Sequence, residues 1–265
     1  MNTRAISVNA DPVAGTQAAR SVYVFMAVLF IVVAVTGFSP RSLAIVAGER
    51  PMPVLIVHLH AATMSAWLVL LLAQTLLMSS GRAATHRSLG MISMFLGPAM
   101  FIFMSALVIR GFLGIVQAQA VMPPQQLGNT VAFQTFIMAR AALLFGVFFA
   151  WAVAVRKTSP ETHKRMMIMA TFMVIDAAIA RVPWLPGAYL RDGGVPVSVF
   201  VGYDLTHIYQ LLLLVPVFFH EIVRNGRVHW AYLLGTGLFL FSAISAHFAW
   251  NSPAWARMVA GIVGG

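Results

Sequence analysis

The chain has 265 residues, of which 60% are hydrophobic and only 9% charged, with a mean hydropathy of +0.86. A soluble domain carries about a quarter charged residues, and a chain of this length in water could not hide so much apolar surface, so lipid is its expected solvent. The absence of cysteine excludes disulfides, thiolate metal sites and cysteine nucleophiles, and the formal charge of +10 is scattered in short loops rather than gathered into a nucleic-acid-binding patch.

The first 20 residues are small and polar, with Pro12 and Gly15, and read as a cytoplasmic tail. Ser21 to Phe38 then gives 18 mostly apolar residues. That is longer than the ~7–15-residue core of a cleaved signal peptide, and predicts an uncleaved first span. Six more apolar segments follow, so that the predicted spans are about 21–38, 53–79, 89–110, 130–155, 165–183, 199–222 and 230–250. About 20 residues cross the hydrocarbon, and buried backbone groups must bond internally. Leu, Met, Ala and Phe without a two-residue alternation argue for helices over a barrel. The predicted fold is therefore all-α, a seven-helix membrane bundle followed by an outer tail at 251–265.

Turn residues fall between these spans. Ser39-Pro40, Pro51 and Pro53 bracket the first turn, and Ser80-Gly81 closes the second span. Pro123-Pro124 and Gly128 fill the longest loop, Ser159-Pro160 separates spans four and five, and Asn225-Gly226 leads into the last. Lys and Arg set the orientation. With the N-terminus inside, the inner segments hold Arg4, Arg20, Arg82, Arg87, Arg156, Lys157, Lys164, Arg165, Arg224 and Arg227. The outer segments hold Arg41, Arg50, Arg110, Arg191 and Arg257, so ten inner cations face five outer ones. The N-terminus is expected inside and the C-terminus outside. Trp230 and Trp250 lie one hydrocarbon thickness apart, ~30 Å at the helical rise, as a pair of interfacial anchors.

The inner loops form a weak repeat, GRAATHRSLGM, RKTSPETHKRMM and NGRVHW, each placing a basic residue and a histidine (His86, His163, His229) before a span. Two readings stand: three anchors at the headgroups, or an inner-face histidine cluster holding a metal or an anion. The stretch HLHAATMSAWLVLLLAQTLL, the motif GR-x-x-x-HR-x-LG, the motif HKR-M and the closing NGRVHW resemble a widespread bacterial group of small multi-pass proteins. The likeness covers most of residues 53–235 and implies the fold and a bacterial cytoplasmic-membrane location, but brings no activity with it. A looser similarity, to b-type membrane cytochromes of the ascorbate-reductase kind, rests on histidines in apolar helices.

Ionisable residues within a bilayer are costly, and are paired or functional. Helix rise places Arg140 ~15 Å from the outer side and Asp176 ~16 Å from the inner side, both near mid-membrane. Arg181 and Asp204 fall together in the outer third. Matching depths suggest the ion pairs Arg140–Asp176 and Arg181–Asp204, fixing helix packing; the sharper alternative is that one arginine holds an anionic ligand group.

His58, His60, His207 and His247 crowd the same outer third. His58 and His60 point ~200° apart on a helix, and His60 shares its polar stripe with Thr63, Trp67 and Gln74. Tyr203, Asp204 and Gln210 lie on the His207 face of its span. This constellation supports a cofactor pocket between spans two, six and seven. Haem b would take His60 and His207 as ligands, Arg181 on a propionate and Asp204 orienting His207. A single metal ion would take His60, His207 and His247, leaving an open position. The methionine stripe Met166, Met169 and Met173 starts at the inner interface and reads as ordinary packing. No lysine on the last span, and no G-x-S-x-G, H-E-x-x-H or phosphate-loop pattern, supports the corresponding enzymes.

Two function classes follow: a haem- or metal-binding redox protein, or a non-catalytic carrier, small-molecule binder or accessory subunit of a larger membrane complex or homo-oligomer. The topology is testable directly. A periplasm-active phosphatase fused after Gly265 is expected to be active, and fusions after Gly81 or Gly226 inactive; activity at either loop would overturn the orientation.

Overall fold

The structure is a computed structural model. It describes the backbone of residues 12–186 and 199–263, and the side chains of residues 21–186 and 204–263. Among the described residues the chain is helical, without strands. Helices α1 (Pro12–Val46), α2 (Leu55–Ser79) and α3 (Ala83–Ala118) form the first three long elements. Helix α4 (Pro124–Phe133) runs through a π-helical turn, Gln134–Ala139, into α5 (Arg140–Val155). Next come α6 (Pro160–Phe172) and the single turn α7 (Asp176–Ile179). The chain ends with α8 (Val199–Leu212), α9 (Val215–Asn225), α10 (Trp230–Ala249) and α11 (Pro253–Val263).

Six helical stretches are long and apolar enough to cross a membrane: 21–46, 55–79, 83–121, 124–155, 204–225 and 230–249. Most of their surface is unburied by the protein itself, with Phe95, Phe241 and Phe248 among the exposed side chains. The architecture is that of a helical multi-pass membrane protein.

The predicted fifth span, 165–183, is the exception. It is not one continuous helix but α6 and α7 separated by a non-helical step at Met173–Ile175. It is also the best-buried element. From Arg165 to Ala180, every residue except Met167 and Ala177 is buried, with α1, α5, α8 and α10 packed around it. The step has a local cause. The Gln210 Nε2 of α8 donates to the Phe172 carbonyl at 2.5 Å. In an unbroken α-helix that carbonyl would accept from the amide of Asp176, four residues on. The Val174 and Ile175 amides instead make three-residue turns back to Thr171 and Phe172, and the β-branched pair adds little helical preference.

Pro40 also behaves differently from the sequence reading, since it lies inside α1 rather than in a turn, while Pro98 lies inside α3 as the span 89–110 implied. Neighbouring groups within a membrane bundle re-satisfy the backbone that such prolines free. Pro124 begins a helix where a loop was expected, as proline at a first-turn position does. The C-terminal tail contains the amphipathic helix α11, whose Ala256 lies against Gly128 of α4, while the Trp255 Nε1 donates to the Gly128 carbonyl at 2.8 Å. Pro216 marks the α8–α9 break, since its ring cannot follow an uninterrupted helix.

Gly37 sets how closely α1 approaches the central element, because a Cβ there would overlap the Ala178 backbone carbonyl. Gly37→Val is expected to lower stability by ~1–3 kcal/mol through overpacking. Gly114→Ala, on α3 where a Cβ meets nothing within 4 Å, should leave it unchanged or slightly raised. Thermal unfolding of the detergent-solubilised variants measures both.

Candidate functional site: a buried charged layer at a helix break

Arg140 opens α5 immediately after the π-helical turn. One extra residue in such a turn rotates the following helix by ~100° relative to an unbroken α-helix. The turn is itself anchored, because Gln134 Nε2 donates to the Val108 carbonyl at 2.8 Å and its amide fills the space left by Gly111. The rotation presents Arg140 inward, where its Nη2 donates to Asp176 Oδ2 at 2.9 Å with both side chains 5% exposed. Asp176 is the first residue after the step in the central element, and its Oδ1 accepts from the Ala177 amide at 2.7 Å. The depth-matched pair expected from the sequence is thus formed.

Two further helices complete the layer. Arg140 Nη1 faces His207 Nε2 at 3.4 Å and Ser242 Oγ at 3.3 Å. The guanidinium lies over the Phe239 ring, 5.0 Å from its centroid, and the His207 ring packs 5.0 Å from the same centroid. A guanidinium only donates, so His207 Nε2 must accept, and its proton sits on Nδ1. Arg140 therefore ties α5 to α7, α8 and α10 at one depth. Gln210, one turn along α8 from His207, is completely buried and holds the Phe172 carbonyl.

This geometry corrects several readings of the sequence. Asp204 does not pair with Arg181. Its Oδ1 lies 2.8 Å from His247 Nε2, joining α8 to α10, while Arg181 donates through Nη1 to the Ala177 carbonyl at 2.6 Å and stands over the Phe38 ring. Asp204 consequently does not hold His207 either. The His207 Nε2, which a haem iron would take, is directed at the Arg140 guanidinium. His60, on α2, has its Nδ1 buried without a partner among the described residues. No three His, Asp or Glu side chains among the described residues come close enough to hold a metal ion, so His60, His207 and His247 are not gathered into one site. The Tyr203 side chain lies outside the described residues.

The three loop histidines do separate jobs rather than forming one centre. His86 Nδ1 accepts from the Gln74 side-chain amide, whose oxygen accepts from the Gly90 amide at 2.8 Å. His163 Nδ1 donates to the Ala152 carbonyl at 2.8 Å, pinning α6 to α5. Burial holds its imidazole below the ordinary pKa, in spite of that hydrogen bond. His229 caps α10, its Nδ1 accepting from the Ala231 amide at 3.2 Å.

A second ionic layer escaped the sequence reading. Arg165 donates to Glu221 Oε1 through Nε at 2.9 Å and through Nη2 at 2.6 Å, with 4% and 2% of the two side chains exposed. Its Nη1 reaches Glu161 Oε2 at 2.6 Å, and Asn225 Nδ2 holds the other Glu221 oxygen at 3.0 Å. Burial of Glu161 is outweighed by the hydrogen bonds from Lys164 and Arg165, which keep its carboxyl below the usual range. Tyr23 and Tyr232 are buried beside this layer. The available signal was Glu221 itself, an acidic residue within an apolar span.

Compared with protein-family models, with curated proteins and with solved structures, the chain matches none.

Removing one partner of a buried pair strands the other charge. Asp176→Asn is expected to cost ~3–5 kcal/mol in detergent unfolding, and adding Arg140→Met should recover much of the loss. A double variant no more stable than the worse single one would refute the pairing.

Proposed function

We propose that this protein is a non-catalytic membrane carrier for a small polar solute, with the Arg140–Asp176–His207 layer as its binding level. The observation that carries the reading is the position of the buried ion pair at a break in the central element. Membrane helices are interrupted where released backbone and charged side chains serve a solute, and ionisable residues at mid-depth mark substrate paths. The chemistry at this level also fits a solute that both donates and accepts. The Arg140 Nε–H and the Gln210 Oε1 are buried without hydrogen-bond partners among the described residues, giving one free donor and one free acceptor around Phe172 and Phe239.

The surrounding layers fit alternating access. Asp204–His247 joins α8 to α10 on one side of the binding level, and Arg165–Glu221 joins α6 to α9 on the other. The α8–α9 break lies between them at Leu213–Leu214, where the two halves can tilt independently. In this reading α6, α7 and the residues after them make a seventh, broken crossing over about 165–183. The N-terminus is then inside, the Arg165 layer is at the inner face, and the membrane is the bacterial cytoplasmic one.

Haem or a metal ion remains the competing proposal from the sequence, and the His207 geometry disfavours it. One preparation distinguishes the two. Purified protein in lipid vesicles is mixed with hyperosmotic glycerol, urea, glycine or acetate, and re-swelling is followed by light scattering. Faster re-swelling for at least one solute than in protein-free vesicles is expected, together with its loss in the Arg140→Met/Asp176→Asn double variant. No acceleration by any of the four, with a stoichiometric chromophore or metal in the same sample, would replace the carrier reading by the redox one.

A further inference from the structure

The two ionic layers are joined by one polar helix face. Asp176 follows Arg165 by eleven residues, ~16 Å of helical rise, and Ser242 follows Tyr232 by ten, ~15 Å. The central element and α10 therefore span the same interval between the layers. On α10, Tyr232, Thr236, Phe239 and Ser242 share the face turned into the bundle, where Tyr232 and Phe239 are fully buried and Ser242 nearly so.

One hydroxyl on that face is left over by the protein. The Thr236 Oγ1 is sealed from the surface without a hydrogen-bond partner among the described residues, while the Tyr232 hydroxyl meets that of Tyr23. At the upper end, the Arg140 Nε and Gln210 Oε1 are orphaned in the same way. Buried polar groups in native proteins are satisfied by protein or by water, and a water needs two to four such partners, about the number offered here. An orphaned polar series in a lipid-facing bundle, leading from one charged layer to the next, is what a line of water molecules requires. It is a poor design for dry packing, since each unmet group costs ~1–3 kcal/mol.

We propose that this face of α10 lines a hydrated access path from the Arg165–Glu221 layer to Arg140 and Asp176. Tyr232 and Thr236 form its lower part, and Gln210 offers the polar step past Phe239. The Phe239 ring is the apolar constriction, set between Thr236 and Ser242 and flanked by Phe172 at 5.2 Å. In this conformation the Arg165–Glu221 pair, 4% and 2% exposed, closes the lower end, and water enters from that end when the pair parts. The proposal deepens the carrier reading by naming the side from which the binding level is wetted, and it rests on that reading for calling this side inner.

The chain contains no cysteine, so substituted-cysteine labelling needs no background to be removed. Thr236→Cys, Ser242→Cys and Phe241→Cys are made singly. Phe241 points outward and is 72% exposed, so it reports a lipid-facing position on the same helix. A membrane-impermeant cationic methanethiosulfonate reagent is applied to inside-out and right-side-out vesicles. Thr236→Cys is expected to label from the inner side only, Phe241→Cys from neither, and Ser242→Cys slowly from the inner side. Phe239→Ala should accelerate the last reaction. Labelling of Thr236→Cys is also run after detergent solubilisation and unfolding, which shows that the thiol is present and reactive. Unlabelled Thr236→Cys in folded vesicles, or labelling from the outer side alone, would overturn the path. The re-swelling assay fails or succeeds separately, so a labelled path without solute flux refutes the carrier and leaves the path standing.

Discussion

The Arg140–Asp176 pair is the constraint on which the arrangement depends. Two charges taken out of water carry a desolvation cost that their attraction offsets only with good geometry and further hydrogen bonds. The structure supplies these through Ser242, His207, the Ala177 amide and the face of the Phe239 ring. Each partner sits on a different element, so satisfying one guanidinium fixes α5, α7, α8 and α10 against one another. The π-helical turn before Arg140 and the step before Asp176 serve the same end, since each re-aims a charged side chain that a regular helix would send elsewhere. A buried pair of this kind contributes little net stability against an apolar replacement. Its value is in specificity of packing.

The central element explains why the predicted span 165–183 is not among the long apolar helices. Length and hydropathy register helices that meet lipid, and α6–α7 meets protein on nearly every side. Sheltered from lipid, it can hold Arg165, Thr171 and Asp176 and break its own hydrogen-bond ladder. The surrounding bundle absorbs the polar groups: Trp67 Nε1 donates to Thr171 Oγ1 at 2.9 Å, and Gln210 takes the Phe172 carbonyl. Trp67 is in turn set edge-on to Phe145 and Phe149 of α5, 5.2 and 5.6 Å between ring centroids. Aromatic packing thus holds the donor where the broken helix needs it.

What was legible in the sequence was depth, and what was not was direction. The helical nature and the membrane-spanning lengths follow from composition, and counting rise from span ends placed Arg140 and Asp176 at one level. The same count placed Arg181 with Asp204 and gathered His60, His207 and His247 into one site. There it failed, because equal depth does not fix which way a side chain faces around its helix. Asp204 turns to α10 and finds His247, while the Arg181 guanidinium curls back on its own chain. Prolines misled the boundaries for a related reason. A proline signals a missing donor, and whether the helix stops depends on neighbours that one segment does not reveal, as Pro40 shows.

Glu221 shows how one segment joins both ionic layers. Residues of the α8–α9 segment meet three different helices: Asp204 meets His247 on α10, His207 meets Arg140 on α5, and Glu221 meets Arg165 on α6. The segment is broken between the second and third of these contacts. A rigid helix bonded at three levels would lock the bundle. A jointed one lets each half meet its own partners. The two ionic contacts differ in burial, 42% and 39% exposed for His247 and Asp204 against 4% and 2% for Arg165 and Glu221. The buried pair is the costlier to break, because losing either partner strands the other charge, and Glu161 and Asn225 add hydrogen bonds to it.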